Sequence, residues 1–149
     1  MAAVPEGYRA LNLSKSLYLS TNGPFYVRRV GEDVTIGMAV EHRHCNSAGA
    51  MHGGMMATFA DVAMTVGANI VARSSRFLVT LNLSLDYVGA GKDGDWIEAP
   101  IHVIRTTKTY IFAQSVAAKA DGTPLARVSA TLLLRGDPDP AFDGERFFR

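Results

Sequence analysis

The chain has 149 residues, 48% of them apolar, with fifteen Lys and Arg against fourteen Asp and Glu and a formal net charge of +1. That is the size and composition of one globular domain, and so small a net charge leaves no electrostatic footprint for nucleic acid or an anionic membrane surface. The single cysteine, Cys45, excludes an internal disulfide and a Cys-based zinc site and fits a reducing compartment. The start, Met1 to Gly7, has no basic region leading into an apolar run, so the expected location is the cytoplasm.

In chain order, residues 11–19 read as a short amphipathic helix. Residues 25–30 and 33–40 read as a hairpin turning at Gly31 and Glu32, with Gly37 weakening its second strand. From His44 to Ala72 the only formally charged side chain is Asp61. The glycines at 53 and 54 open this stretch's apolar run and Arg73-Ser74-Ser75 close it, giving a helix of about 20 residues, ~30 Å long. Its apolar residues, among them Met55, Met56, Phe59, Val62, Met64 and Ile70, cover every face, so the helix must be buried on most sides. A membrane span would have to shelter Asp61, at a cost of ~2.5–3.5 kcal/mol on insertion scales, with no second span to help. The buried core helix is therefore the expected form.

Beyond the helix, Phe77, Val79, Leu81, Leu83, Leu85 and Tyr87 alternate with polar residues, the pattern of a half-buried strand. After the turn-rich 89–95 come strands at 96–106, 107–120 and 124–135, the last two joined at Asp121-Gly122. The connections are too short for crossover helices, so these four strands are expected to pair antiparallel in sequence order. Residues 136–149 read as a surface tail. The sum is an α+β domain, 1–149 with its core at about 25–135, in which an antiparallel sheet wraps one helix.

The residues with chemical potential gather just before and within the helix. Asp61, in an apolar helix, reads either as a structural carboxylate held by donors or as a functional group with a perturbed environment. His52 and the Gly53-Gly54 pair have structural readings too, but together they leave backbone N–H groups unobstructed at the positive end of a helix, suited to a developing oxyanion. The four histidines, His42, His44, His52 and His102, have no zinc-motif spacing, although His42 and His44 share one side of a possible strand. Neither metal nor cofactor is expected.

The run Asn46-Ser47-Ala48-Gly49-Ala50-Met51-His52-Gly53-Gly54, with Asp61 further along the helix and Gly122 in the final hairpin, resembles the hotdog-fold acyl-CoA thioesterases of the phenylacetate type. The resemblance implies a hotdog fold, acyl-CoA as substrate and hydrolysis without metal. It also implies homodimers, often assembled into tetramers. By the same resemblance Asp61 is general base or nucleophile, the Gly53 N–H polarises the thioester carbonyl, Asn46 orients substrate or water, and His52 supports the loop. Gly54 and Met55 would adjoin substrate. A helping hydroxyl is implied at Thr80, although strict alternation turns Thr80 away from the side of Val79 and Leu81; Thr65, one helical turn after Asp61, competes for that role. Arg105 and Lys108 either meet CoA phosphates or form a solvated hairpin.

One carbonyl cannot touch both Gly53 and Asp61 of one chain, because a helix rises ~12 Å between them. The expected arrangement is a two-fold dimer with active sites shared between subunits. The alternatives are a hotdog hydratase or dehydratase, which would need a different His and acid arrangement, and a non-catalytic acyl-CoA-binding domain, against which the retained Asp61 argues.

Overall fold

The computed structural model describes residues 2–149; Met1, the first residue of the leader reading above, lies outside them. In chain order the elements are β1 (Arg9–Ala10), α1 (Leu17–Asn22), β2 (Tyr26–Val30), β3 (Asp33–Ala39), α2 (Gly53–Val62), α3 (Ala68–Val71), β4 (Phe77–Tyr87), β5 (Trp96–Pro100), β6 (His102–Thr106), β7 (Tyr110–Lys119) and β8 (Pro124–Arg135). A π-helical turn, Ala63–Gly67, joins α2 to α3, so Gly53–Val71 is one continuous rod. Eight antiparallel strands form one sheet in the order β1-β2-β3-β5-β7-β8-β4, with β6 also on β7.

The rod lies against the sheet. Phe59, Ala60, Val62, Ala63 and Met64 are fully or almost fully buried against inward residues such as Ile36, Ile97, Ile111 and Leu132. Burying each large apolar side chain in this layer is worth ~1.5–3 kcal/mol. At Gly67 an added Cβ would lie 2.5 Å from Ile101 Cγ1, at the break between β5 and β6, so no larger residue fits there without moving the helix or that break. This close fit falls in the π-helical turn, where the rod departs from regular α-helical hydrogen bonding.

The expected hairpins at Gly31 and Gly122 form, each with its glycine at positive φ (+60° and +89°), a conformation that costs other residues more. The helix also begins at the expected glycines.

The strand order departs from sequence order. β4 pairs with β8 from Phe77 opposite Arg135 to Tyr87 opposite Ala126, and β5 instead pairs with β3 and β7. The reason is the path of the segment between β4 and β5. Val88 and Gly89 donate to Leu125 O, Gly91 O accepts from Met51 N, and Asp95 O accepts from Val40 N. The segment therefore travels from the sheet's end to its middle instead of folding back as a tight hairpin. The expected strand 96–106 is one path broken at Ile101, whose N–H turns to Val34 O.

Three other expectations are corrected. Residues 11–16 are not helical: α1 begins at Leu17, where Ser16 Oγ accepts from Leu19 N and caps it, and none of its residues is buried. His42 and His44 lie in a 3₁₀ turn (His42–His44), not on a strand, because Glu41 and His44 cap each other's backbone. The C-terminal segment does not trail over the surface. It forms two 3₁₀ turns, Pro140–Phe142 and Gly144–Phe148, and buries Gly144 so tightly that an added Cβ would sit 2.7 Å from Ile70 Cγ1.

Candidate active site

The loop before α2 is closed by its own backbone. Asn46 N donates to Ala50 O, and Asn46 Oδ1 accepts from the N–H groups of Ala48 and Ala50. Gly49 takes φ +79° within this turn and donates to Asn46 O. The asparagine's carbonyl oxygen is thus occupied in holding the loop. His52 is the N-cap of the helix: its Nδ1 accepts from Gly54 N at 2.8 Å, and its carbonyl accepts from Met55 N and Met56 N. Of the four N–H groups that a helix start leaves unpaired, those of His52, Gly54 and Met55 are satisfied, the first by His44 O. The fourth, Gly53 N–H, has no acceptor among the described residues.

The loop is tied to the end of α1. Arg43 donates through one terminal nitrogen to Thr21 O and through the other to Gly23 O, and its Nε donates to Glu41 Oε2 at 2.8 Å. His44 lies between them, with Nε2 3.0 Å from Asn22 O and Nδ1 accepting from Glu41 N at 3.0 Å. The hydrogen bond from Arg43 holds the Glu41 carboxyl below its usual range. Burial holds the His44 imidazole below its ordinary value, and the neighbouring Arg43 charge acts in the same direction. The neutral ring fits its contacts, since Nδ1 must stay unprotonated to accept. His44 O in turn receives the His52 N–H.

Asp61 lies midway along the rod, half-buried, and Thr80 Oγ1 donates to its Oδ1 at 2.6 Å. The alternation of β4 alone turns Thr80 away; a β-bulge between Thr80 and Asn82 turns it back. Leu81 is the extra residue and is 53% exposed. On one side of it Leu78 and Thr80 oppose the buried Leu134 and Leu132, and on the other Leu83 and Leu85 oppose the buried Ala130 and Val128. A bulge re-aims side chains in this way. Thr65, the competing hydroxyl, donates to Asp61 O at 2.7 Å and so bonds the backbone rather than the carboxylate.

A cleft of about 900 Å³ opens over Asp61, Thr65 and Thr80. Its walls are α2 to α3 with the turn between them, the start of β4, the segment before α1 and the C-terminal turns. Gly53, Gly54, Asn46 and His52 do not line it, and Met55 is buried in the core at 7% exposure. Arg105 is exposed on β6; Lys108, in the β6–β7 turn, accepts from Arg76 through its carbonyl. The basic residues that do reach the cleft are Lys15, Arg76 and Arg146. Arg76 is occupied by three carbonyls, those of Lys108, Leu134 and Gly136. Among the described residues no three His, Cys, Asp or Glu side chains converge as a metal site would require.

Tyr87 is a site residue that sequence reasoning treated only as a strand position. Its hydroxyl donates to Gly53 O at 2.7 Å, and its ring lies 3.7 Å from where a Gly53 Cβ would stand. The end of β4 thus braces the start of α2. Its only signal in the sequence is an aromatic at the end of an alternating strand, which many strands share.

One long helix packed against an eight-stranded antiparallel sheet is the hotdog architecture. Residues 48–126 match the family model described as the thioesterase superfamily. PA0474 of Pseudomonas aeruginosa, named as a candidate esterase, is 32% identical over 116 residues, covering 77% of this chain and 86% of that protein. Human acyl-coenzyme A thioesterase 13 is 31% identical over 91 residues, 60% of this chain and 64% of that one. The fold is shared with the Escherichia coli PaaI protein of the phenylacetic acid degradation operon (TM-score 0.73, 17% identity, covering 84% of this chain and 88% of PaaI). It is shared too with a hypothetical thioesterase of Streptococcus pneumoniae solved with coenzyme A (TM-score 0.69, 18% identity, 82% and 98%). The chain belongs to the thioesterase superfamily and is a thioester hydrolase.

Proposed function

We propose that the chain hydrolyses acyl-CoA to a free carboxylic acid and CoA, in a homodimer whose two active sites each draw on both subunits. The observation that carries this reading is the Asp61 carboxylate, held by Thr80 at one oxygen beneath the cleft. Thr80 occupies Oδ1, and Oδ2 has no partner among the described residues, which leaves it to take a proton from water or to attack the carbonyl carbon. The thioester carbonyl oxygen gains negative charge in either route, and the open Gly53 N–H of the partner subunit is the donor for it. Such a donor is worth ~2.7–4 kcal/mol. In the first route the thiolate leaves as CoA taking up the proton, and the acyl carbon keeps the water oxygen as the acid. In the second the thiolate leaves behind an anhydride between the acyl group and Asp61, which water then cleaves to the acid and the free carboxylate.

The shared site is supported by geometry. Gly53 and Asp61 are ~12 Å apart along one rod, and among the described residues β4 ends the sheet with an unpaired edge that exposes Phe77, Leu81 and Tyr87, with the exposed Val88 just past its end. A long apolar edge strand calls for a partner. Pairing about a two-fold axis would set two rods antiparallel and bring each Asp61 near the other rod's start. Two such dimers would make the tetramer. Asn46 and His52 then act through the loop they close and cap, and the CoA-bound S. pneumoniae neighbour supports the ligand class.

Two measurements test the reading. Thiol release over aromatic, short, medium and long acyl-CoAs should show turnover with at least one group, and silence across the panel would leave an acyl-CoA-binding domain instead. Mixing and reassociating an Asp61→Ala chain with a Gly53→Pro chain should restore activity, one intact site forming per heterodimer. Heterodimers without activity would exclude sharing.

A further inference from the structure

The two ends of the chain converge on the cleft above Asp61. The segment from Asn12 to Ser16, with Leu19 of α1, forms part of its lining, and Ala141, Phe142, Arg146 and Phe147 from the C-terminal turns form another part. Neither belongs to the stretch 48–126 that matches the thioesterase superfamily.

The C-terminal wall is fixed at several independent points. Asn69 Nδ2, on α3, donates to Phe142 O at 2.8 Å, and the Phe142 ring lies 5.2 Å from that of Phe77. Ser75 O accepts from Asp139 N, Gly144 fits against Ile70, and Arg29 pairs with Glu145 in a two-point contact that holds the Glu145 carboxyl below its usual range. Arg29 also covers the Phe148 ring at 3.8 Å. A segment held by hydrogen bonds, an ion pair and a close backbone fit keeps one position, as a wall that measures a ligand must. Three of its four cleft-lining residues, Ala141, Phe142 and Phe147, are apolar, and Leu13 and Leu19 line the same cleft.

We infer that the C-terminal turns Pro140–Phe148 form the acyl-selecting wall of the site, with Phe142 and Phe147 setting how far an apolar acyl group extends beyond Asp61. This rests on the reading of Asp61 as the reacting carboxylate. The substrate class is an acyl group apolar along its length and bulky enough to reach the two rings. A cleft of about 900 Å³ holds such a group, near the upper end of the ~300–1,000 Å³ range of ligand pockets. Phe142 and Phe147 are specificity-determining residues and touch no reacting atom.

The test varies the wall in opposite directions. The Phe142→Ala, Phe147→Ala double variant enlarges the chamber and Ala141→Phe fills it. For each, kcat/KM is measured over straight-chain acyl-CoAs of increasing length, with melting curves to check folding. The double variant should move the preferred chain to greater length and raise the ratio of the longest to the shortest substrate about tenfold, the scale on which apolar pockets discriminate. Ala141→Phe should move the preference to shorter chains. A loss of stability alone would lower all substrates together, and an unchanged length preference in both variants overturns the inference. If the unaltered protein releases no thiol from any acyl-CoA, the failed statement is the catalytic reading. The wall is then judged by calorimetry with non-hydrolysable S-alkyl-CoA thioethers, where the same opposite shifts support it and their absence overturns it.

Discussion

The start of α2 and its middle handle polarity in opposite ways. At the start the group proposed to act is a backbone N–H, and the side chains hold the backbone around it: His52 caps Gly54, Asn46 closes the loop, and Tyr87 braces Gly53 O, leaving one N–H open. In the middle the group proposed to act is a side chain. Asp61 is held by one hydroxyl from another element, and the helix beneath it widens into a π turn. The first region should therefore tolerate any change that preserves both the backbone path and the open Gly53 N–H, while the second should tolerate few changes at the carboxylate and its hydroxyl.

The sharpest break of this contrast is Asp61→Ala, expected to lower kcat by about 10²-fold or more, the lower end of what a general base contributes. Thiol release beside a melting curve separates this loss from unfolding. Next is Gly53→Pro, which removes the open N–H and leaves the hydrogen bonds accepted by the loop's carbonyls in place. Proline is accepted at the first helical position, and His52 already has the extended backbone (φ −61°, ψ 136°) that a following proline requires. The helix should persist while kcat falls by about 10²-fold, the lower range for one oxyanion donor; full activity would remove the backbone from the mechanism.

A smaller effect is expected at the hydroxyls. Thr80→Val removes a hydrogen bond to a charged group and should cost about tenfold in kcat. Thr65→Val removes only a bond to a backbone carbonyl and should change kcat by less than about twofold. Equal losses would erase the distinction between the two threonines.

The smallest effect concerns the clamp between the loop and α1. Burial lowers the pKa of His44 in the folded chain below its ordinary 6.5, so the unfolded chain binds that proton more readily. The contribution of His44 to stability is complete above 6.5 and is lost as pH falls from there through the folded value. Melting temperature measured from about pH 7 to about pH 5 should fall less steeply in His44→Gln than in the unaltered protein. Parallel curves would show that the imidazole stays uncharged for no energetic reason of its own.

The rod and the hairpins at Gly31 and Gly122 were legible in the sequence because their signals are local: glycine at a turn, period two, an uncharged apolar run. The pairing of Asp61 with Thr80 was legible only through family resemblance. Alternation by itself argued against it, since nothing local announces a bulge at Leu81. The placement of β4 beside β8 was hidden for a similar reason. The segment that carries the chain away is spelled in the same Gly and Asp residues that spell a hairpin, and its course is decided by bonds to Leu125, Met51 and Val40, remote in sequence. The C-terminal segment, with its prolines and charges, read as solvated because the contacts that seat it are a missing Cβ at Gly144 and carbonyls met by Asn69 and Arg9.

The bulge at Leu81 also changes what a gain or loss of one residue would do. In a regular strand, deleting a residue reverses the facing of everything on one side of the gap. Here Leu81 is the surplus residue, so its removal would restore an even ladder with Thr80 still inward beside Leu78 and Leu83 still inward beyond it. A duplication at the same place would be the disruptive event. Relatives whose strand is one residue shorter at this point can therefore keep the same hydroxyl on the same carboxylate, and a gap there when two sequences are aligned marks a change in strand length and none in the site.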